Sequence, residues 1–375
     1  TAASGGSNVR PAQPMDRTAS LRPLAAGALP ALALAVSLGS SVLVLASAGD
    51  TLGYDYQAYL LAAERLLAGE PLYDPSVDVA GPFAIFYYPP PYAVLFVPFT
   101  LLPAELGPWV WAALLYGAFV AGAALMPVRG DVRWLTLLLA GLSWPFVYSL
   151  KLGQVGPLLF LTFAAGWRWL DRPGPLGASI ALGALVKLQP AALFGWALVT
   201  RRLRAVAVAL AILGGTALAA TIIVGPRTWS DYATLLARVS SPVTTPHNFT
   251  PGAILYQLGV PADLATAFQW ASVALVGAVT VWAWFRVDAE PAYLVTVVAS
   301  QLVSPLLWDH YAILLLLPVA YLLERRRWWA LAIPLATTWP LVGLSPAWVY
   351  PLVFAASLLG PVLARDYRHP VAAGT

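Results

Sequence analysis

Between Asp50 and Pro91 the chain gathers Asp50, Asp55, Glu64, Glu70, Asp74 and Asp78, six of its 17 carboxylates, in a stretch flanked by apolar runs. Hydrocarbon cannot solvate such groups, so the stretch belongs at a membrane surface or in a water-filled cavity opening from one. A carboxylate placed there can take a proton from a reacting hydroxyl. Three more polar motifs interrupt apolar sequence: Lys151-Leu152-Gly153-Gln154, Lys187-Leu188-Gln189-Pro190 and Trp308-Asp309-His310-Tyr311. A lysine at bilayer depth costs about 3 kcal/mol on insertion scales, which favours a place facing a cavity or an anion. Lys187 stands about 11 residues from either end of its apolar run, on the order of 16 Å at ~1.5 Å per residue, a long way for its side chain to reach water. Each position also has a plainer reading. Asp55 stands where a helix N-cap would stand, Lys187 can snorkel, Lys151 and Gln154 fit a solvated loop, and Asp309 fits a cap beside an interfacial His310.

The elements that must position these groups are helical. Tyr56, Tyr59, Leu60, Ala63 and Leu67 share one helical face, and Gly69 supplies a stop. The spacing predicts a short amphipathic helix on the membrane interface with Asp55 at its mouth. Across all 375 residues, 60% are hydrophobic, and apolar runs of about 18 or more residues recur from end to end. The fold class is therefore all-α and polytopic in a membrane. With no Cys, disulfides, thiolate metal sites and a cysteine nucleophile are excluded, and three His make a multi-histidine metal centre improbable. No Gly-rich phosphate loop is present, and the net charge of +4 sits in short clusters that suit membrane topology signals rather than nucleic-acid binding.

In chain order, residues 1–23 read as a disordered cytoplasmic tail and Leu24–Ala48 as the first span, followed by an external loop over 49–91. Tyr92–Leu102, introduced by three prolines, reads as a shortened second span whose irregular start lines a cavity. Spans follow over Trp109–Met126, Trp134–Leu150, Val155–Leu170, Leu176–Thr200 and Val206–Val224, then a second external loop over 225–252 with Arg227, His247 and Asn248. Five more spans bring the total to about 12, with a single membrane domain over 24–365 and a cytoplasmic tail over 366–375. This count puts Arg129, Arg133, Arg168 and Arg172 outside and Lys151 inside, against the usual bias of cations. A break of Leu176–Thr200 into two half-spans near Lys187 exchanges those sides; the unbroken span is the expectation carried forward.

Several of these motifs resemble glycosyltransferase family 87. They are the pattern from Asp55 through Tyr59, Gly69 and Tyr73 to Asp74; Tyr88-Pro89-Pro90; Gly153-Gln154-Val155; Lys187-Leu188-Gln189-Pro190; and Ser304-Pro305-Leu306-Leu307-Trp308-Asp309-His310, in that order over about Leu24–Arg327. The chain departs from the family's habit at Lys151 and Gly156-Pro157. The resemblance implies a GT-C architecture, a sugar donor linked to polyprenyl phosphate, and a lipid- or glycan-linked acceptor. It implies mannosyl or arabinofuranosyl transfer, no cofactor, and a site on the external face of the plasma membrane, with Asp55 as the catalytic base. A leaving lipid phosphate needs cations, for which Lys187, His310 and Arg227 are the candidates. Tyr59, Tyr88, Gln154, Gln189, His247, Trp308 and Asp309 are the candidates for substrate binding, though aromatic residues here equally suit a membrane belt. A carrier or flippase for lipid-linked sugars is the rival; it would call for midplane ionisable pairs and repeat symmetry, which this sequence does not display.

Overall fold

The computed structural model describes residues 17–73, 85–238, 243–245, 247–344 and 347–364. Asp74, Asp78 and both expected tails lie wholly or largely outside these residues. Among the described residues the chain is helical, without strands: α1 (Arg17–Ala46), α2 (Tyr54–Ala68), α3 (Pro90–Phe96), α4 (Gly107–Leu125), α5 (Gly130–Gly141), α6 (Trp144–Leu152), α7 (Gly156–Arg168), α8 (Pro173–Val186), α9 (Ala192–Val199), α10 (Leu203–Val224), α11 (Arg227–Arg238), α12 (Pro251–Gln257), α13 (Ala262–Arg286), α14 (Ala289–Leu302), α15 (Leu316–Glu324), α16 (Ala332–Leu335) and α17 (Val349–Leu363). Among the described residues, four segments are long and apolar enough to cross a bilayer: Gly27–Ala46 of α1, with α4, α10 and α13. A fifth forms if α5 and α6, bent by 66° at Leu142-Ser143, act as one. The remaining expected spans are short or broken helices, so the count of 12 is not reproduced as 12 continuous crossings.

Two of the expected crossings turn back instead. The first is Leu176–Thr200. Pro190 has no N–H to give and its ring excludes an α-helical path through the preceding turn. Accordingly α8 stops at Val186, Lys187 is extended (φ −155°, ψ 147°), and the chain resumes through a short 3₁₀ turn, Gln189–Ala191, into α9. Arg202, just after α9, donates to Leu170 O and to Asp171, both at 3.0 Å, just before α8 begins. The two legs therefore start and end together, and the expected unbroken span is a re-entrant hairpin with Lys187 near its tip.

The second is Tyr92–Leu102. Helix α3 and the 3₁₀ turn Val97–Leu101 after it remain against α2 and the start of α4. Tyr92 lies 5.1 Å from Tyr59, and Phe99 lies 6.1 Å from Tyr56 and 5.4 Å from Trp111, ring centre to ring centre. Removing two crossings moves the intervening cations. Arg129 pairs with Glu324 at 3.2 Å, and Arg325 beside it pairs with Glu290 at 3.1 Å, which also accepts from Trp167 Nε1 at 2.9 Å. Arg129, Arg202 and Arg325 thus collect with Glu290 and Glu324 at one end of the bundle. Lys151, placed opposite by the span count, lies at the other end, where its carbonyl accepts from Gly53 N at 2.8 Å.

Candidate functional site

Helix α2 begins one residue before Asp55, so the carboxylate is not its cap. Gly53, left-handed at φ 72°, holds that position, and Gly69 (φ 71°) ends the helix as its sequence predicts. Tyr56, Ala58, Tyr59, Ala62 and Ala63 are buried, whereas Leu67, expected on the same face, is exposed. Asp55 sits in the first turn of α2, free to serve a ligand.

Its neighbour Gln154 comes from the end of α6. Gly153 is left-handed there (φ 73°), and a Cβ on it would stand 3.0 Å from Tyr56 Cβ and 3.1 Å from Trp111 Cδ1. Only glycine both turns the chain and admits those side chains. Gln154 Oε1 accepts from Tyr88 Oη and from Val155 N, both at 3.0 Å, and Tyr59 Oη donates to Tyr88 Oη at 2.9 Å. With its oxygen so occupied, the amide presents its NH₂ to the Asp55 carboxylate. Burial pushes the Asp55 carboxyl up to about 7, against the opposing pull of Lys187 and of the Gln154 hydrogen bond.

Lys187, at the hairpin tip, acts on this carboxylate through its charge, without an ion pair to it. Its ammonium donates to Tyr311 Oη, lies 4.0 Å from the centre of the Tyr311 ring and 6.0 Å from that of Tyr88. Gln189, two residues on, lies beside Tyr311 as well. Asp55 and Lys187 are both partly exposed, so they line a space a ligand can enter. A carboxylate near neutrality, a cation coupled to it and a wall of aromatic rings form an arrangement able to take up a proton and to hold an anion.

Residues 86–305 match the profile of glycosyltransferase family 87. The chain belongs to that family. It is similar to two curated enzymes. The polyprenol-phosphate-mannose-dependent alpha-(1-2)-phosphatidylinositol mannoside mannosyltransferase of Mycobacterium tuberculosis is 28% identical over 74% of this chain and 72% of its own length. The polyprenol-phosphate-mannose-dependent alpha-(1-2)-phosphatidylinositol pentamannoside mannosyltransferase of Mycolicibacterium smegmatis is 27% identical over 72% and 69%. No solved structure matches the chain.

In this family 87 glycosyltransferase Asp55, Tyr59, Tyr88, Gln154, Lys187 and Gln189 therefore come together. His310 joins them through Tyr311, its ring 4.8 Å away; it is buried, and neither ring nitrogen has a hydrogen-bond partner among the described residues. Its Nδ1 stands 3.6 Å from Asp309 Oδ1. Trp308, partly buried, lies 5.6 Å from the His310 ring. The other two candidates stand apart. Arg227 is exposed at the start of α11, and His247 is exposed in a left-handed turn (φ 57°). The next residue, Asn248, turns inward instead. Its Oδ1 accepts from Thr250 N (3.1 Å) and Leu307 N (3.0 Å), and its Nδ2 donates to Pro305 O (3.1 Å), fastening the second loop to the strip that carries Asp309 and His310.

Sequence reasoning passed over Tyr92 and Tyr311. Tyr92 is buried with its hydroxyl unpartnered among the described residues, and it stacks on Tyr88 at 5.0 Å. Tyr92 follows the proline run that marks a non-helical entry, and Tyr311 closes the Trp308-Asp309-His310-Tyr311 motif, so one signal stood beside a noted motif and the other within one.

Proposed function

We propose that this protein transfers a mannosyl group from a polyprenyl-phosphate carrier to a hydroxyl of a lipid- or glycan-linked acceptor, with inversion at the anomeric carbon. The observation that carries the reading is the gathering of Asp55, with its carboxyl near neutrality, and the Lys187 ammonium of the re-entrant tip around Tyr88, which bonds Gln154 beside Asp55 and lies 6.0 Å from the ammonium. The named activities of the relatives supply the sugar and the carrier.

In the proposed reaction the acceptor hydroxyl gives its proton to Asp55 as its oxygen attacks the anomeric carbon. The bond from that carbon to the phosphate oxygen breaks on the opposite face, and its electron pair leaves on the lipid phosphate. Lys187 and the one N–H of the unpartnered His310 ring meet the charge that grows there. One carboxylate suffices for a single displacement, and Asp309 is fixed in orientation outside that role, accepting from Trp144 Nε1 at 2.7 Å and from His310 N at 2.8 Å. The basic end suits the cytoplasmic face by the bias of cations, which sets Asp55 on the extracytoplasmic face.

The test is to incubate purified protein with labelled polyprenyl-phospho-mannose or polyprenyl-phospho-arabinofuranose and a mannoside acceptor. Product from the mannosyl donor, with its anomeric configuration opposite to the donor's by NMR, is the expected result. Transfer from the arabinosyl donor alone, or retention of configuration, overturns the reading.

A further inference from the structure

Beside the Asp55 centre lies a second group of side chains that the reaction above does not use. Trp144 and Tyr148, one turn apart at the start of α6, stack with ring centres 4.5 Å apart and planes at 17°. Both are partly open. The Trp144 indole N–H fixes Asp309 Oδ2, and the backbone N–H of His310 fixes Oδ1, leaving each oxygen lone-pair capacity to spare. Tyr350, from α17, is buried and packs on Phe249 at 4.6 Å, within electrostatic reach of Asp309 and Tyr148. Its hydroxyl has no hydrogen-bond partner among the described residues. A buried phenol left without a partner is costly, so one is to be sought in a ligand.

We infer that Trp144, Tyr148, Asp309 and Tyr350 form a subsite for a second hexopyranose ring, the sugar preceding the one that is glycosylated. The inference rests on the proposed function only in calling that ring the acceptor's. A pyranose presents a C–H face that lies on aromatic rings and equatorial hydroxyls that seek a fixed carboxylate and a phenol. This group offers all three. It also sits at the right place. Tyr148 is 6.3 Å from His310, His310 is 4.8 Å from Tyr311, and Tyr311 carries Lys187. A two-ring acceptor can therefore lay its outer ring at Asp55 and its inner ring on the Trp144–Tyr148 pair. Discrimination between acceptors of different length follows from that arrangement.

The experiment compares octyl α-mannopyranoside with an octyl dimannoside, binding to the full chain in detergent by saturation-transfer NMR, without donor. Wild type is expected to prefer the dimannoside by about tenfold. Tyr350→Phe, which removes one oxygen atom, is expected to cut dimannoside affinity about fivefold and leave the monomannoside within about twofold; Trp144→Leu abolishes the preference. A folding defect would weaken both ligands together, and Tyr350→Phe keeps the test valid if Trp144→Leu does not fold. Equal affinity of wild type for the two compounds, or a Tyr350→Phe variant that retains the full preference, overturns the subsite. Should the preference hold while no mannose passes from the polyprenyl donor, the subsite stands and the proposed reaction falls.

Discussion

Lys187→Met keeps most of the side-chain volume at the hairpin tip and removes its charge. If Asp55 is the base, the rate at low substrate follows the fraction of Asp55 that is ionised, falling as pH drops through its pKa. In wild type that limb is centred near pH 7, because burial raises the carboxyl while Lys187 pulls it down. An opposite charge at close range typically lowers a carboxyl by about 1–3 units. The lower end applies here, since Asp55 is partly exposed and keeps its bond from Gln154. Removing the ammonium therefore moves the limb up by about one unit. At pH 7 the ionised fraction falls from about one-half to about one-tenth, a loss of roughly fivefold that pH 8.5 restores. Weaker charge stabilisation of the donor phosphate lowers the rate further, most at low pH, because burial pulls the Lys187 ammonium itself down to about 7 and wild type loses that charge above it. The assay is kcat/KM against pH, from 5.5 to 9, with polyprenyl-phospho-mannose as donor. A uniformly depressed profile with an unmoved midpoint would refute the coupling of Lys187 to Asp55 and leave the lysine a phosphate ligand only.

Asp55→Asn should keep the fold, because the side chain caps nothing, while transfer falls at least about a hundredfold, the lower range for a lost general base; wild-type-like turnover would remove Asp55 from the mechanism. His310→Ala should slow transfer in a way that added Mg²⁺ or Mn²⁺ does not restore, and wild-type activity should survive excess EDTA; recovery by one specific metal would recast Asp55 or Asp309 as a ligand. Gly153→Ala places a Cβ on a left-handed residue (φ 73°) against Tyr56, and a loss of about 1–2 kcal/mol with a lower Tm is expected from the backbone alone. For topology, single cysteines at Glu64 and His247, both exposed, should react with an impermeant thiol reagent in intact cells, and one at Arg172 should not; labelling at Arg172 would break the assignment of the basic end to the cytoplasm.

The helix over Tyr54–Ala68 was legible because three turns of buried small and aromatic residues repeat at helical spacing and Gly69 ends them. Lys187 was legible for the opposite reason, as a single costly group in apolar surroundings, and Pro190 beside it marked the break. What the local pattern does not contain is the direction of the chain after the break. A run of 25 residues fits one crossing or two half-legs equally well, and the choice is made by Arg202 returning to Leu170 and Asp171, about 30 residues away in sequence. The cations between Arg129 and Arg172 pointed the same way: with two fewer crossings they fall on the side that the cation bias favours. Trp144, Tyr148 and Tyr350 were illegible because an aromatic residue in an apolar run looks the same whether it faces lipid or sugar. The re-entrant tip explains why this family of site can be built in a membrane at all. A lysine carried on a continuous span would face lipid or a packed neighbour, whereas a broken pair of legs brings its ammonium to Tyr311 and into electrostatic range of Asp55. Carboxylate and ammonium then come from separate elements, α2 and the hairpin, so neither charge is buried alone.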